Sequence, residues 1–200
     1  MAIHLSFNDL WAAYPQPDHG NGADARLSRL SLFRQIGWEG RVDLPAFENT
    51  CAVRMSIALI ACGVNVDGND LILAGQYKGA KVETNRLRLS ERLKGASYLG
   101  APRAISAFSS GAHIEIHWNE RGIVSFDHMI HYDGGHIDLM RNGDLPFAYA
   151  SGDISRIWRA PIRSVHLTNS SLDYDHIEYA DMRDTMFWFR SRVVYFWPLP

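Results

Sequence analysis

Apolar residues recur along the first part of the chain at helical spacing. Phe7, Leu10, Trp11 and Tyr14 fall at i, i+3, i+4 and i+7, which predicts a short amphipathic helix over 7–14. Ser6 or Asn8 can cap it, and Pro15-Gln16-Pro17 ends it. Residues 18–25 are polar and glycine-rich and read as a loop. Leu27, Leu30 and Phe33 suggest a second, weaker helix, and 37–47, broken by glycines and Pro45, reads as irregular. The clearest predicted helix runs from Cys51 to Cys62, with Asn49 or Thr50 as its N-cap and Gly63 as its stop. Cys51, Met55, Leu59 and Cys62 share one face. Nearly every other position is apolar too, so burial on most sides is expected, with Arg54 its one charge. Leu71-Ile72-Leu73 suggests a short strand, and 87–99 a further helix ended by Gly100-Ala101-Pro102.

Beyond residue 113 the period changes. Alternation over 114–118, 122–126 and 136–140 predicts strands, Asn142-Gly143 is a turn pair, and 187–197 is strongly β-prone and reads as the last core strand. Helices precede strands, which is the order of an α+β fold, here taken as one catalytic domain over 1–200.

Composition removes several function classes. Hydrophobic content is 46%, charged content 21% and net charge -2, with no basic run, so nucleic acid is not an expected partner. Six Trp, eight Tyr and nine Phe argue for a packed core rather than disorder. The longest apolar run, 57–62, is too short to insert in a membrane. The opening MAIHLSFNDLWAAYP lacks the basic start, apolar core and cleavage site of a Sec signal, so the chain is expected to be made in the cytoplasm and to leave it by another route. Glycine-rich phosphate loops and Gly-x-Ser-x-Gly are absent, so no cofactor is expected. A metal site would have to use His113, His117, His128, His131 and His136, but no Cys or Glu-x-x-His pattern joins them, and none is expected.

Both cysteines are expected to be free thiols. On one helix their Cα atoms stand roughly 16 Å apart at ~1.5 Å rise, against ~5.5 Å for a disulfide. Cys51 opens the helix, where the dipole and the backbone N–H groups favour thiolate and could hold an oxyanion. Cys62 lies at the opposite end and reads as packing. Cys51 is therefore expected to be exposed and reactive, and Cys62 buried. His136 starts a strand directly after Gly134-Gly135, small neighbours that leave room for another element or a substrate, so a strand-borne imidazole can meet a helix-borne thiol.

Asn49-Thr50-Cys51-Ala52-Val53-Arg54-Met55-Ser56, Gly135-His136-Ile137-Asp138-Leu139, the terminal Val194-Tyr195-Phe196-Trp197-Pro198 and the opening Phe7-Asn8-Asp9-Leu10-Trp11 resemble the fourth family of type VI secretion amidase effectors, within the wider NlpC/P60-like, papain-like class. The resemblance implies N-terminal helices packed on an antiparallel sheet, and Cys51 as nucleophile with His136 as base. It implies cleavage of the γ-D-glutamyl–meso-diaminopimelate bond of peptidoglycan stem peptides. Its partners would be that substrate, a cognate immunity protein and the type VI machinery, with action in the periplasm of a rival cell. The family's third catalytic member is an aspartate on the strand after the histidine. If 140–152 is a loop, Asp153 arrives beside His136 and is preferred, with Asp144 and Asp138 as alternatives; Asp138 shares the His136 face by period two but lies along one strand rather than across it. A different chemistry on the same scaffold, a deamidase or transpeptidase acting on a protein, is the rival reading.

Overall fold

The computed structural model describes residues 3–15, 25–47, 49–106, 120–129, 135–141 and 191–200. Helix α1 (Phe7–Ala13) starts at Ser6, whose hydroxyl accepts the Asp9 N–H at 3.5 Å, and stops at Tyr14, which is extended ahead of Pro15. Helix α2 (Ala25–Ile36) follows. The stretch expected to be irregular holds two short 3-10 turns, Glu39–Arg41 and Pro45–Phe47.

Helix α3 (Cys51–Ala61) is the predicted central helix. It ends where Gly63 takes φ +80°, a left-handed conformation that a side chain would strain. Gly63 N–H then donates to Ile60 O and Val64 N–H to Leu59 O, both at 2.9 Å, which satisfies the last carbonyls. Leu10, Met55, Leu59, Ile123, Ile137 and Leu139 belong to one buried cluster, and Leu32, Phe33, Trp38, Val53, Ile57 and Val82 to another. Because α3 contributes to both, it is buried on nearly all sides, as its all-round apolar sequence requires.

Arg54 shares that burial at 1% exposed. Its Nε donates to Thr50 Oγ1 at 3.1 Å and its Nη1 to the Pro15 carbonyl at 2.7 Å, tying α3 to the end of α1. Arg54→Ala leaves those acceptors without their charged donor and opens a cavity. It is expected to lower unfolding free energy by roughly 3 kcal/mol in a urea titration. An unchanged midpoint would contradict this account of the α1–α3 junction.

A two-stranded ribbon, β1 (Asp70–Leu71) with β2 (Lys81–Val82), separates α3 from helix α4 (Arg86–Leu93). The expected strand at 71–73 is therefore shorter and begins one residue earlier, and its partner β2 went unpredicted. Asn85 caps α4 by accepting the Arg88 N–H at 3.1 Å. The helix stops at Leu93 rather than at 99, because the chain turns through Gly95, whose N–H bonds the Arg92 carbonyl at 2.9 Å, and reaches Gly100 at φ +78°.

Among the described residues the main sheet has four strands, β3 (Arg103–Ser106), β4 (Arg121–Met129), β5 (His136–Arg141) and β6 (Ser191–Pro198), in the order β3-β6-β4-β5 with every neighbour antiparallel. β6 is the predicted last core strand, with Val194, Phe196 and Trp197 buried. β3 was not expected, and the strand expected at 114–118 and the turn at Asn142-Gly143 lie outside the described residues. Helices-then-sheet order holds, so α+β is the observed class.

Candidate active site

Three local structures meet at the start of α3. Cys51 is its first residue and is 1% exposed. Thr50 occupies the N-cap position, but its hydroxyl is bonded to Arg54, and the capping falls to Asn49, whose Oδ1 accepts the Cys51 N–H at 3.0 Å. Asn49 Nδ2 donates to the Gly135 carbonyl at 3.2 Å. One side chain thus staples the helix start to the residue before His136. The Cys51 amide, first of the donors expected to serve an oxyanion, is already engaged by Asn49.

His136 opens β5 and is 1% exposed. It pairs in register with Phe126 of β4 and stacks on that ring, centroids 6.3 Å apart at 19°. Its Nε2 lies 2.9 Å from Asp138 Oδ2, and the other carboxylate oxygen accepts the Leu139 N–H at 2.8 Å. Cys51 acts on the same imidazole, and with Nε2 on Asp138 the nitrogen left to serve it is Nδ1. Two of the expected residues, Cys51 and His136, are therefore together. Asp153 and Asp144 lie outside the described residues. The carboxylate on the imidazole is Asp138, the alternative that adjacency along one strand had disfavoured. Two residues of strand advance only ~6.6 Å, which an imidazole and a carboxylate leaning toward each other can close.

The electrostatics follow from burial and pairing. Burial alone pulls the His136 pKa down, but bonds to Asp138 and Cys51 and the negative charge of both outweigh it, raising it from 6.5 to about 9. Burial pushes the Asp138 carboxyl up, while His136, the Leu139 amide and the Tyr14 hydroxyl oppose it. Tyr14 is itself raised well above the usual phenol range, chiefly by burial and then by the Asp138 charge beside it. With its pKa near 9, His136 is an imidazolium at neutral pH, a cation set beside the Cys51 sulfur.

Cys62 corrects one expectation. It is half-buried whereas Cys51 is buried, so exposure does not separate the two as predicted. The Cys62 thiol is pushed up by burial and by Asp9. Sequence reading also missed Tyr14, which its spacing placed among apolar helix positions, and the buried pair Arg86–Asp127, for which no local motif exists. Among the metal candidates, His113, His117 and His131 and the side chain of His128 lie outside the described residues. Among the described residues no group of three or more His, Cys, Asp or Glu could hold a metal ion.

Helices laid over an antiparallel sheet, with a thiol at a helix start and an imidazole at a strand start, make an NlpC/P60-like, papain-like fold. Three solved structures share that fold. The effector–immunity complex Tae4-Tai4 from Salmonella Typhimurium matches with 16% identity and TM-score 0.57 over 99% of this chain and 100% of that one. The corresponding complex from Enterobacter cloacae matches with 16% identity and TM-score 0.54 over 99% and 100%. The Enterobacter cloacae effector Tae4 by itself matches with 15% identity and TM-score 0.55 over 100% of both chains. No significant relative was found among curated proteins. The model of the family described as type VI secretion system (T6SS), amidase effector protein 4 matches residues 47–188, and the chain belongs to this Tae4 family of peptidoglycan amidase effectors. That span contains Cys51, His136 and each of the three candidate aspartates.

Proposed function

We propose that this chain, as one catalytic domain, hydrolyses the amide between the γ-carboxyl of D-glutamate and meso-diaminopimelate in peptidoglycan stem peptides. Cys51 is the nucleophile, His136 the base and Asp138 the orienting carboxylate. It acts in the periplasm of a rival cell and is neutralised by a cognate immunity protein, as the Tai4 partners of the solved relatives suggest. The observation that carries the assignment is the line from Cys51 through His136 to Asp138, buried and closed by a 2.9 Å bond. The choice of bond rests on the sequence resemblance.

In the mechanism, Cys51 Sγ attacks the γ-carbonyl carbon as thiolate, and the carbonyl π pair moves to oxygen. Amides of the first turn of α3 beyond Cys51, at the positive end of the helix dipole, stabilise that oxygen. His136 Nδ1 gives its proton to the departing diaminopimelate nitrogen as the C–N bond breaks, leaving a thioester. The now neutral imidazole takes a proton from water, and the hydroxide attacks the thioester. Cys51 leaves as thiolate with His136 again protonated, and the D-glutamyl γ-carboxyl departs, losing its own proton to solvent.

The test uses purified muropeptides and two expression routes. New amine ends on diaminopimelate are expected with the wild type. Fused to an export signal the protein should lyse Gram-negative cells, while in the cytoplasm, where no cross-linked peptidoglycan exists, it should be far less harmful. Equal killing from both compartments, with muropeptides left intact, would move the target to a protein and favour the deamidase or transpeptidase reading.

A further inference from the structure

Arg86, the first residue of α4, is placed where a surface helix rarely puts a cation. Its side chain is 9% exposed and forms an ion pair with Asp127 of β4, itself 4% exposed. Asp127 Oδ1 also accepts the Ser125 hydroxyl at 3.3 Å. The guanidinium lies flat against Gly135: a Cβ built on that glycine would meet Arg86 Cζ, Nε and Nη2 before anything else. Gly135 is the residue whose carbonyl Asn49 holds and which leads directly into His136. Arg86 therefore packs on the backbone joining the two halves of the site. Its charge also reaches Cys51. Burial lowers the Arg86 pKa and attraction to Cys51 opposes that.

We infer that Arg86 is a positioning residue for the Cys51–His136 pair: its guanidinium seats Gly135 and supplies, beside the imidazolium, a second cation that favours ionisation of Cys51. The groups around Cys51 support this assignment. His136 and Asp138 face it from β5. Tyr14 faces it from the end of α1 and, with its pKa raised, stays neutral. Arg54, one turn along α3, donates from Nε to Thr50 and from Nη1 to the Pro15 carbonyl. Asp127 neutralises part of the Arg86 charge but stands beyond it on β4. Arg86 is thus a second cation, besides His136, whose charge acts on Cys51. Gly135 also gains a reason to be glycine. Its φ is not in the left-handed region, so what it provides is space for the guanidinium rather than backbone freedom.

The value of Arg86 in turnover rests on Cys51 being the nucleophile; its effect on the thiolate does not. Full-length protein is therefore titrated by the ultraviolet absorbance of the Cys51 thiolate, taken as the difference from Cys51→Ala in each background. Arg86→Gln is expected to raise the thiolate midpoint by about one pH unit, as loss of a nearby opposite charge does. Arg86→Lys should restore more than half of the shift. Gly135→Ala, which pushes the guanidinium aside while keeping its charge and the backbone, should also raise the midpoint. The acid limb of kcat/KM on muropeptides should move with it. A purely structural role would lower thermal stability and rate and leave the midpoint in place. An unmoved midpoint in folded Arg86→Gln overturns the inference. If that variant does not fold because Asp127 is stranded, an unmoved midpoint in Gly135→Ala overturns it instead. Hydrolysis surviving in Cys51→Ala would remove the amidase assignment and leave this titration result untouched.

Discussion

Cys51→Ala reduces muropeptide hydrolysis by roughly 10⁵-fold or more, to the background of the uncatalysed reaction, because nucleophile and base act as a unit and loss of either removes the covalent route. The substitution removes one buried sulfur atom, and the surrounding core of α1 and α3 pays no more than about 1 kcal/mol in stability. The rate and the fold are thus separable, and a melting curve close to wild type with no activity is the expected pair of results. His136→Ala gives the same loss of rate but a different stability. It deletes the partner of a carboxylate that is 0% exposed, and Asp138 must then protonate or carry an unpaired buried charge. A loss of roughly 3 kcal/mol is expected while the imidazolium pairs the ionised carboxylate, and it shrinks as pH rises through about 9 and wild-type His136 loses its proton. Hydrolysis near the wild-type rate in well-folded Cys51→Ala would end the assignment of nucleophile and base.

The residues that sequence alone could read here are those whose placement follows from local rules. The period of 3.6 over 7–14 and 51–62, a proline after α1 and a glycine after α3 define elements without reference to the rest of the chain, and α1 and α3 form as expected. The position of Cys51 at a helix start and of His136 at a strand start is local in the same sense. What joins them is not. Asn49 reaches Gly135 and Arg86 reaches Asp127 across wide gaps in sequence, and no spacing rule encodes those contacts. Short elements were lost for a related reason. β3 and β2 consist of a few residues whose strand state is set by pairing with β6 and β1 rather than by their own pattern. The reversed exposure of the two cysteines is likewise a tertiary property. α3 is buried between two clusters at its start and half-open at its end, which an all-apolar helix cannot announce.

Asp138→Asn lowers turnover by about 10²- to 10⁴-fold, and Asp153→Asn by far less, as the number of nitrogens on an imidazole requires. Nε2 of His136 is bonded to Asp138, and in the proposed mechanism Nδ1 serves Cys51, which leaves no ring nitrogen for a second carboxylate. The asparagine keeps the size of the side chain but loses the charge and can present a donor to Nε2, selecting the wrong tautomer. The pH profile makes the assignment sharper. His136 has its pKa raised to about 9, above the ordinary 6.5, so the imidazolium is fully formed below about 6.5 and is lost as pH rises through about 9. Its contribution to stability follows the same window, present on the acid side and fading between those values. Activity that needs the imidazolium to protonate the leaving amine must therefore fall on an alkaline limb near that value. Asp138 supplies two of the causes that raise it, a hydrogen bond and a charge. In Asp138→Asn the alkaline limb should move toward neutral pH, in the opposite sense to the upward shift of the acid limb expected for Arg86→Gln. The measurement is kcat/KM on a defined muropeptide across the alkaline range for Asp138→Asn, Asp153→Asn and wild type. A limb that stays in place in Asp138→Asn while Asp153→Asn moves it would return the orienting role to Asp153.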